Sequence, residues 1–274
     1  MSKGKELANV AGGDVLAALQ ESYPVEQGGN RIILPRLGMV SQDQVEGKGK
    51  TMKVVTEAGT FYTDKPTGEE DPDTGKKIYK KTELGSEIEG IILFQRKQLK
   101  MYDSKTESYT SSPVYDRDDE IVPIFCNKEE VKRGTPKELQ ANYEYTDENS
   151  GKVRSKLEVN RILYVEFASK GSEPEIYQMN LRGSSMFSFL GYTRKVLVPS
   201  VVTTFSSESK EKGKIAWNQM SFTPKRKLSQ AEAEETLQKI VGIKNSVDLE
   251  RAQYSKNTVE GEVVSEAEKV FNSI

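Results

Sequence analysis

Short apolar runs separated by polar, turn-rich stretches recur along this chain, and most alternate with the period of two that marks half-buried strands. Arg31 to Val40 holds Ile32-Ile33-Leu34, then Pro35 and Gly38, the pattern of a short strand entering a turn. Thr51 to Tyr62 alternates around Met52, Val54 and Val55 before Gly59, as an edge or hairpin strand does. Asp64 to Lys77 contains Pro66, Gly68, Pro72 and Gly75 among several acids and predicts a solvent loop. From Ile88 the chain reads Ile88, Gly90, Ile91, Ile92, Leu93, Phe94 and then switches to Arg96-Lys97-Gln98-Leu99-Lys100-Met101-Tyr102, which fits a long strand running out of a core. Ser104 to Glu120 is polar again but carries Tyr109 and Tyr115, and Ile121 to Phe125 is a brief apolar return.

Further along, Thr135-Pro136-Lys137-Glu138 has the form of a capping box and predicts a short helix. Lys156 to Phe167 and Ile176 to Leu181 predict two antiparallel strands, Gly183 to Gly191 a helix between strands, and Val196 to Phe205 with Lys214 to Phe222 the last two strands. Ser229 then caps a helix from Gln230 to Ile240. The strands outnumber the helices. The expected fold is a β-rich α+β chain, an antiparallel, OB-like, partly open barrel with peripheral helices and a C-terminal helical tail. Its expected organisation is a mobile N-terminal arm over 1–30, a core over 31–227 and an acidic helical tail over 228–274.

Composition narrows the chemistry. The chain has 274 residues, no histidine and one cysteine, Cys126. The commonest general base and zinc ligand is therefore missing, and no disulfide or CxxC zinc site can be drawn. There is no run of ~18 apolar residues and no signal or transit pattern at the N-terminus, so a cytoplasmic protein in a reducing compartment is expected. Gly47-Lys48-Gly49-Lys50-Thr51 falls short of a phosphate loop, because Gln44 stands where the motif needs glycine. Asp116, Asp118, Asp119 and Glu120 lack the frame of a calcium loop. Neither a cofactor nor a catalytic residue is assigned, and the chain reads as a non-enzyme.

The net charge of −2 is unevenly spread. Nine cations face two acids between Leu181 and Lys227, while nine acids face five cations from Leu228 to Ile274. Within and near the basic part, aromatic and basic residues interleave on the predicted strands: Arg96, Lys97, Lys100 and Tyr102 on one, Arg182, Tyr192, Arg194 and Lys195 around the inter-strand helix, and Lys212, Lys214, Trp217, Lys225 and Arg226 on the last. Single-strand binders combine these residue types because bases stack on aromatic rings while cations neutralise phosphates. These thirteen are the candidate nucleic-acid-binding residues. Period-two spacing would point Lys212 and Lys214 together, opposite Ile215 and Trp217. Phe94 follows Ile91-Ile92-Leu93 and reads as core, whereas Tyr102, Tyr109 and Tyr115 lie in polar sequence and read as exposed.

On Lys156–Phe167, Ile176–Leu181, Gly183–Tyr192, Lys214–Phe222 and Ser229–Ile240, the layout resembles the single-stranded DNA-binding proteins of bacteriophage replication and recombination modules. That resemblance implies an OB-like barrel that binds single strands without sequence preference. It also implies contacts with replication or recombination proteins through the tail, which ends Glu266-Ala267-Glu268-Lys269-Val270-Phe271-Asn272-Ser273-Ile274. The chain has no long Gly/Gln/Pro-rich linker before that tail. The expected partner is single-stranded DNA, with RNA open. The alternative is a structural or assembly protein, such as a virion or scaffold component, acting through protein contacts.

Overall fold

A computed structural model describes residues 34–46, 53–72, 77–148, 150–168, 171–213 and 215–248. The expected arm over 1–30, Lys48, Lys50, Lys214 and the tail beyond residue 248 lie outside the described residues. The chain divides into two units, Leu34–Thr236 and one joining Met1–Ile33 with Leu237–Ile274. Of the second, residues 237–248 are described. They continue the helix that begins at 230, and they bury Ile243 and Val247.

The unit Leu34–Thr236 is organised around the seventeen-residue strand β6 (Glu87–Asp103). Its partner along one edge is β12 (Glu158–Phe167), antiparallel from Gly90 opposite Phe167 to Lys100 opposite Glu158. On the other edge β14 (Val201–Lys212) pairs residues 87–90 and β7 (Ser108–Ser111) pairs residues 100–103. Beyond β12 the sheet continues through β13 (Glu175–Leu181), β1 (Arg36–Met39), β4 (Phe61–Glu70) and β5 (Lys77–Gly85). Beyond β7 it continues through β8 (Val122–Cys126) to β9 (Glu129–Gly134). The strand β15 (Ile215–Lys227) pairs with β14. Among the described residues the result is a mixed eleven-stranded sheet whose one parallel pairing is β1 with β13, and its path is open from β5 to β9. Two small hairpins stand apart, β2 (Gln44–Glu46) with β3 (Lys53–Thr56) and β10 (Glu144–Thr146) with β11 (Val153–Ser155).

The main core lies on one face of this sheet. Leu37, Met179 and Leu163 stand in register across β1, β13 and β12, and Phe61, Ile92, Val165, Phe205 and Phe222 pack with them. Helix α2 (Gly183–Thr193) adds Phe189 and Tyr192. A second core joins Leu99, Tyr115, Val122, Ile124 and Leu157 with Leu139 of the short helix α1 (Pro136–Ala141). Each fully buried aromatic or aliphatic side chain here stabilises the fold by roughly 1.5–3 kcal/mol. The capping box predicted for α1 is present, with Thr135 Oγ1 accepting from Glu138 N while the Glu138 carboxylate accepts from Thr135 N.

The strand-rich α+β class read from the pattern is what the chain adopts. Three local expectations are corrected. Of the loop expected over Asp64–Lys77, residues 64–70 are instead strand in β4 and Lys77 opens β5, residues 73–76 lying outside the described residues, and β5, β7 and β9 are strands that apolar alternation did not reveal. The strands β5 and β9 end the sheet, so one side of each needs no apolar cover and charged residues such as Lys80, Lys132 and Arg133 protect the open edge. Pro66 is tolerated because β1 pairs only residues 61–64 of β4, which leaves no ladder bond on that side for Pro66 to lose. Val196–Ser200 is not strand: Val198–Ser200 forms a turn of 3₁₀ helix and β14 begins at Val201. Among the described residues, no helix is long and apolar enough to cross a membrane.

Gly90 is paired on both edges, opposite Phe167 of β12 and Thr203 of β14. A Cβ there would lie 2.7 Å from Glu166 O and 3.0 Å from Val165 Cγ1. Because the obstructing atom is backbone, Gly90→Ala is expected to destabilise the fold by about 1–3 kcal/mol, the usual range for over-packing. Urea unfolding checks this; an unchanged midpoint would show that β6 can shift without cost.

Candidate nucleic-acid interface

Opposite residues in a sheet share a face, so the registers define what stands on the side away from the main core. One row crosses six strands as Lys81, Asp64, Arg36, Gln178, Tyr164 and Phe94. Beside it, Arg96 stands opposite Ile162, Gln98 opposite Asn160, Lys100 opposite Glu158, and Tyr102 opposite Tyr109. Arg182 follows directly from β13 as the N-cap residue of α2 and is exposed.

The face is a set of cation–ring pairs. Arg36 lies 5.6 Å from the Tyr79 ring centroid, Lys81 4.6 Å from Tyr62, Arg96 5.3 Å from Phe94 and Lys100 5.1 Å from Tyr109. Phe94 stacks on Tyr164 at 4.2 Å with an interplanar angle of 12°. Tyr102 and Tyr109 meet at 4.7 Å with their rings tilted by 39°, and they are 52% and 57% exposed. The Tyr62 ring lies over Gly38, where a methyl group would come within 2.6 Å of its Cζ. Burial, and then the Asp64 carboxylate, push the Tyr62 hydroxyl above its ordinary pKa. Asn160 is 4% exposed, and its Oδ1 has no partner among the described residues.

Four of the thirteen candidates, Arg96, Lys100, Tyr102 and Arg182, belong to this face. Arg96 is 8% exposed and ion-paired with Asp116. Lys97 points to the other side of β6, where its Nζ is 2.8 Å from Asp118 Oδ2. The acidic run therefore serves the strand beside it: Asp119 accepts from Arg117 Nε at 2.9 Å, and Glu120 accepts from the backbone N–H of Asp116 and Arg117 at 3.0 and 2.7 Å.

The remaining candidates lie elsewhere. Tyr192 is 7% exposed inside the core, stacks on Phe222 and shares a 2.8 Å hydrogen bond with the Thr203 hydroxyl, so neither ring face meets solvent. Arg194 caps the C-terminus of α2, and both it and Lys195 are exposed. In the β14–β15 hairpin Lys210 stands opposite Trp217 and Lys212 opposite Ile215, which corrects the expectation that the lysine and the tryptophan face opposite ways. Trp217 is half-buried and donates from Nε1 to Ser184 Oγ at 3.1 Å. Lys225 is ion-paired with Glu89, and Arg226 holds the Glu232 carboxylate with both terminal nitrogens at 2.9 and 2.7 Å.

Sequence reasoning did not find Arg36, Tyr62, Tyr79, Lys81 or Tyr164. The alternation Tyr79, Lys81, Glu83 was a usable signal for the β5 members. Tyr164 was hidden inside an apolar run.

The Glu232 carboxyl is held at about 2 by the Arg226 guanidinium and then by the N–H and hydroxyl of Ser229. A depressed carboxyl stabilises the fold fully above its unfolded value, and that contribution is lost as pH falls through the folded one. Acid titration of the wild type should thus lose stability between the ordinary glutamate range and about pH 2. E232Q should show a smaller loss over the same window; identical acid profiles for the two would rule the contribution out. Comparison with protein-family models, curated proteins and solved structures finds no match to this chain.

Proposed function

We propose that this chain is a non-catalytic single-stranded DNA-binding protein, acting without sequence preference in a replication or recombination setting such as that of a bacteriophage in its host cytoplasm. The observation that carries the reading is the sheet face on which Arg36, Lys81 and Lys100 each stand beside an aromatic ring. Cations there track phosphates and release counterions, and rings receive bases whatever their identity. An OB-like architecture goes with this reading. A long strand shared by two parts of the sheet, one parallel pairing and a bulge in the β12–β6 ladder suit such a fold. The face is built from side chains of seven strands, so binding would be a property of the folded sheet and not of one basic segment.

A structural or assembly role is the second reading, and a different observation favours it. Phe187 on α2 and Leu197 just beyond it are 69% and 74% exposed. Concentration-dependent self-association indifferent to oligonucleotide, seen by sedimentation velocity, would favour that role.

The decisive experiment is fluorescence anisotropy of a labelled oligo(dT) of ~30 nucleotides at two salt concentrations, with duplex and oligo(rU) as controls. Tight binding that prefers the single strand and weakens steeply with salt is expected. Each base stacked on an aromatic side chain contributes roughly 1–3 kcal/mol, so loss of one stacked base in Y102A/Y109A should weaken binding about 5- to 160-fold. No binding at low salt would remove the proposal. Wild-type affinity in the tyrosine variant would move the stacking site away from the β6–β7 hairpin.

A further inference from the structure

In the eleven-stranded sheet β5, β9 and β15 each have a neighbour on one side only, among the described residues. Their free edges differ. On β15 the Met220 N–H donates to Ser185 Oγ of helix α2 at 3.0 Å. On β5 the Lys81 ammonium donates to Gln44 Oε1 at 2.9 Å and Glu83 accepts from the Thr56 hydroxyl, so the β2–β3 hairpin engages its charges. The strand β9 pairs with β8 alone among the described residues, and its Glu129, Glu130, Val131, Lys132 and Arg133 are all exposed. An open edge is a template for another strand, and charges along it turn away strands that do not match them. Along β9 the order is acid, acid, valine, base, base, which matches the same strand run in the opposite direction.

The side-chain faces agree with such a pairing. The β8–β9 register passes from Ile124 opposite Lys132 to Phe125 opposite Glu130, so Val131 is an extra residue on β9. In a regular strand Glu130 and Arg133, three apart, would point to opposite faces. The extra residue brings them to one face, where Arg133 Nε and Nη2 each donate to a Glu130 carboxylate oxygen at 2.9 Å. A two-fold axis at this edge, perpendicular to the sheet, would set a second β9 antiparallel to the first and keep each face on its own side. With Val131 opposite the partner's Lys132, Glu130 stands opposite the partner's Arg133, and Arg133 opposite the partner's Glu130. Each Glu130 then lies between two guanidiniums, its own and the partner's, in a closed ring of alternating charge. A slip of one residue would set side chains of opposite faces against each other. A bulge turns an edge away from regular strands, and a copy of β9 carries the same irregularity.

We infer that two copies of this chain pair edge to edge through β9, with Glu130 and Arg133 of each facing Arg133 and Glu130 of the other. Such a contact uses the same strand on both copies and closes at two, whereas β9 against the unlike edge β5 would repeat without closing. A six-residue contact is small, so the dimer is weak and reversible and is favoured by low salt. The inference stands apart from the cation–ring face, and its surface is distinct from the exposed Phe187 and Leu197.

Sedimentation velocity at low salt over rising protein concentration tests it, with thermal unfolding to confirm that each variant folds. The wild type should pass from monomer to dimer and no further. E130R and R133E should each weaken self-association by about fourfold or more, since two cross-strand contacts change from attraction to repulsion at once. An equimolar mixture of the two variants should dimerise again, because E130R presents cations at both positions and R133E carboxylates at both. Loss of the ion pair within one strand cannot produce that recovery, so a mixture as monomeric as its components overturns the inference. Amide hydrogen exchange over residues 129–134 should slow as the wild type is concentrated, while exchange over β5 stays unchanged. No self-association, or self-association undiminished in both variants, also overturns it, the latter moving the contact to another surface such as that of Phe187 and Leu197. Oligo(dT) affinity of R133E, measured below the dimerising concentration, should equal that of the wild type, so the dimer and the single-strand reading stand or fall separately.

Discussion

The structure of the unit Leu34–Thr236 depends on the backbone hydrogen bonding of one strand. Along its seventeen residues β6 must satisfy β12 on one edge and both β14 and β7 on the other, and the isolated bridge between Lys97 and Tyr115 fills part of the interval. Those pairings tie the two cores together, because Ile88 and Ile92 belong to the main core and Leu99 to the smaller one. They also demand a residue without a side chain at Gly90, where β12 closes in. A buried backbone group left unpaired costs as much as a lost hydrogen bond, so the positions of these neighbours are strongly specified.

The same strand decides which side chains reach the outer face. The β12–β6 register slips between Tyr164 and Val165, so Leu93 is an extra residue on β6. Before that bulge the even-numbered residues Ile88 and Ile92 point to the core; after it Leu99 does, and Phe94, Arg96, Gln98, Lys100 and Tyr102 turn outward together. Bulges re-aim side chains in this way without ending a strand. Without it, an unbroken period of two from Ile88 would aim Arg96 and Lys100 at the core. Arg96 remains close to buried even so, and its guanidinium is held by Asp116.

This explains what the amino-acid pattern revealed and what it concealed. Elements with a local signature were legible: the capping boxes at Thr135 and Ser229, the apolar strands β12 and β13, and the glycine-bounded helix α2. Strands such as β5, β7 and β9 were not, since they are held by backbone pairing and present few apolar side chains. The β8–β9 turn was hidden for another reason, because Asn127 and Lys128 both adopt the left-handed backbone that usually announces itself with glycine. For the site, the basic and aromatic composition of β6 was visible, but the bulge and the joining of distant strands were not. Interleaved residues in sequence therefore led to Tyr192 and Trp217, whose rings are engaged by the fold, while Arg36, Tyr62 and Tyr79 came together only through the sheet order.

The cation–ring pairs bear on how such a face would bind. An exposed pair of this kind contributes about 0.5–1 kcal/mol, enough to hold a cation over its ring in the free protein but less than a stacked base supplies. A strand that places a base on Tyr109 and a phosphate beside Lys100 would exchange one favourable contact for two, since the displaced ammonium is received by the phosphate. The ring contact gains by the difference between a stacked base and a cation, and phosphate neutralisation with counterion release adds the salt-dependent part. Binding built this way follows charge and salt closely and base identity weakly. A net charge of −2 for the whole chain is compatible with it, because the acids of the Asp116–Glu120 run are already committed to Arg96, Lys97 and the adjacent backbone. The cations of this face, Arg36, Lys81, Lys100 and Arg182, set the local field that a phosphate would meet, and the total charge of the chain does not.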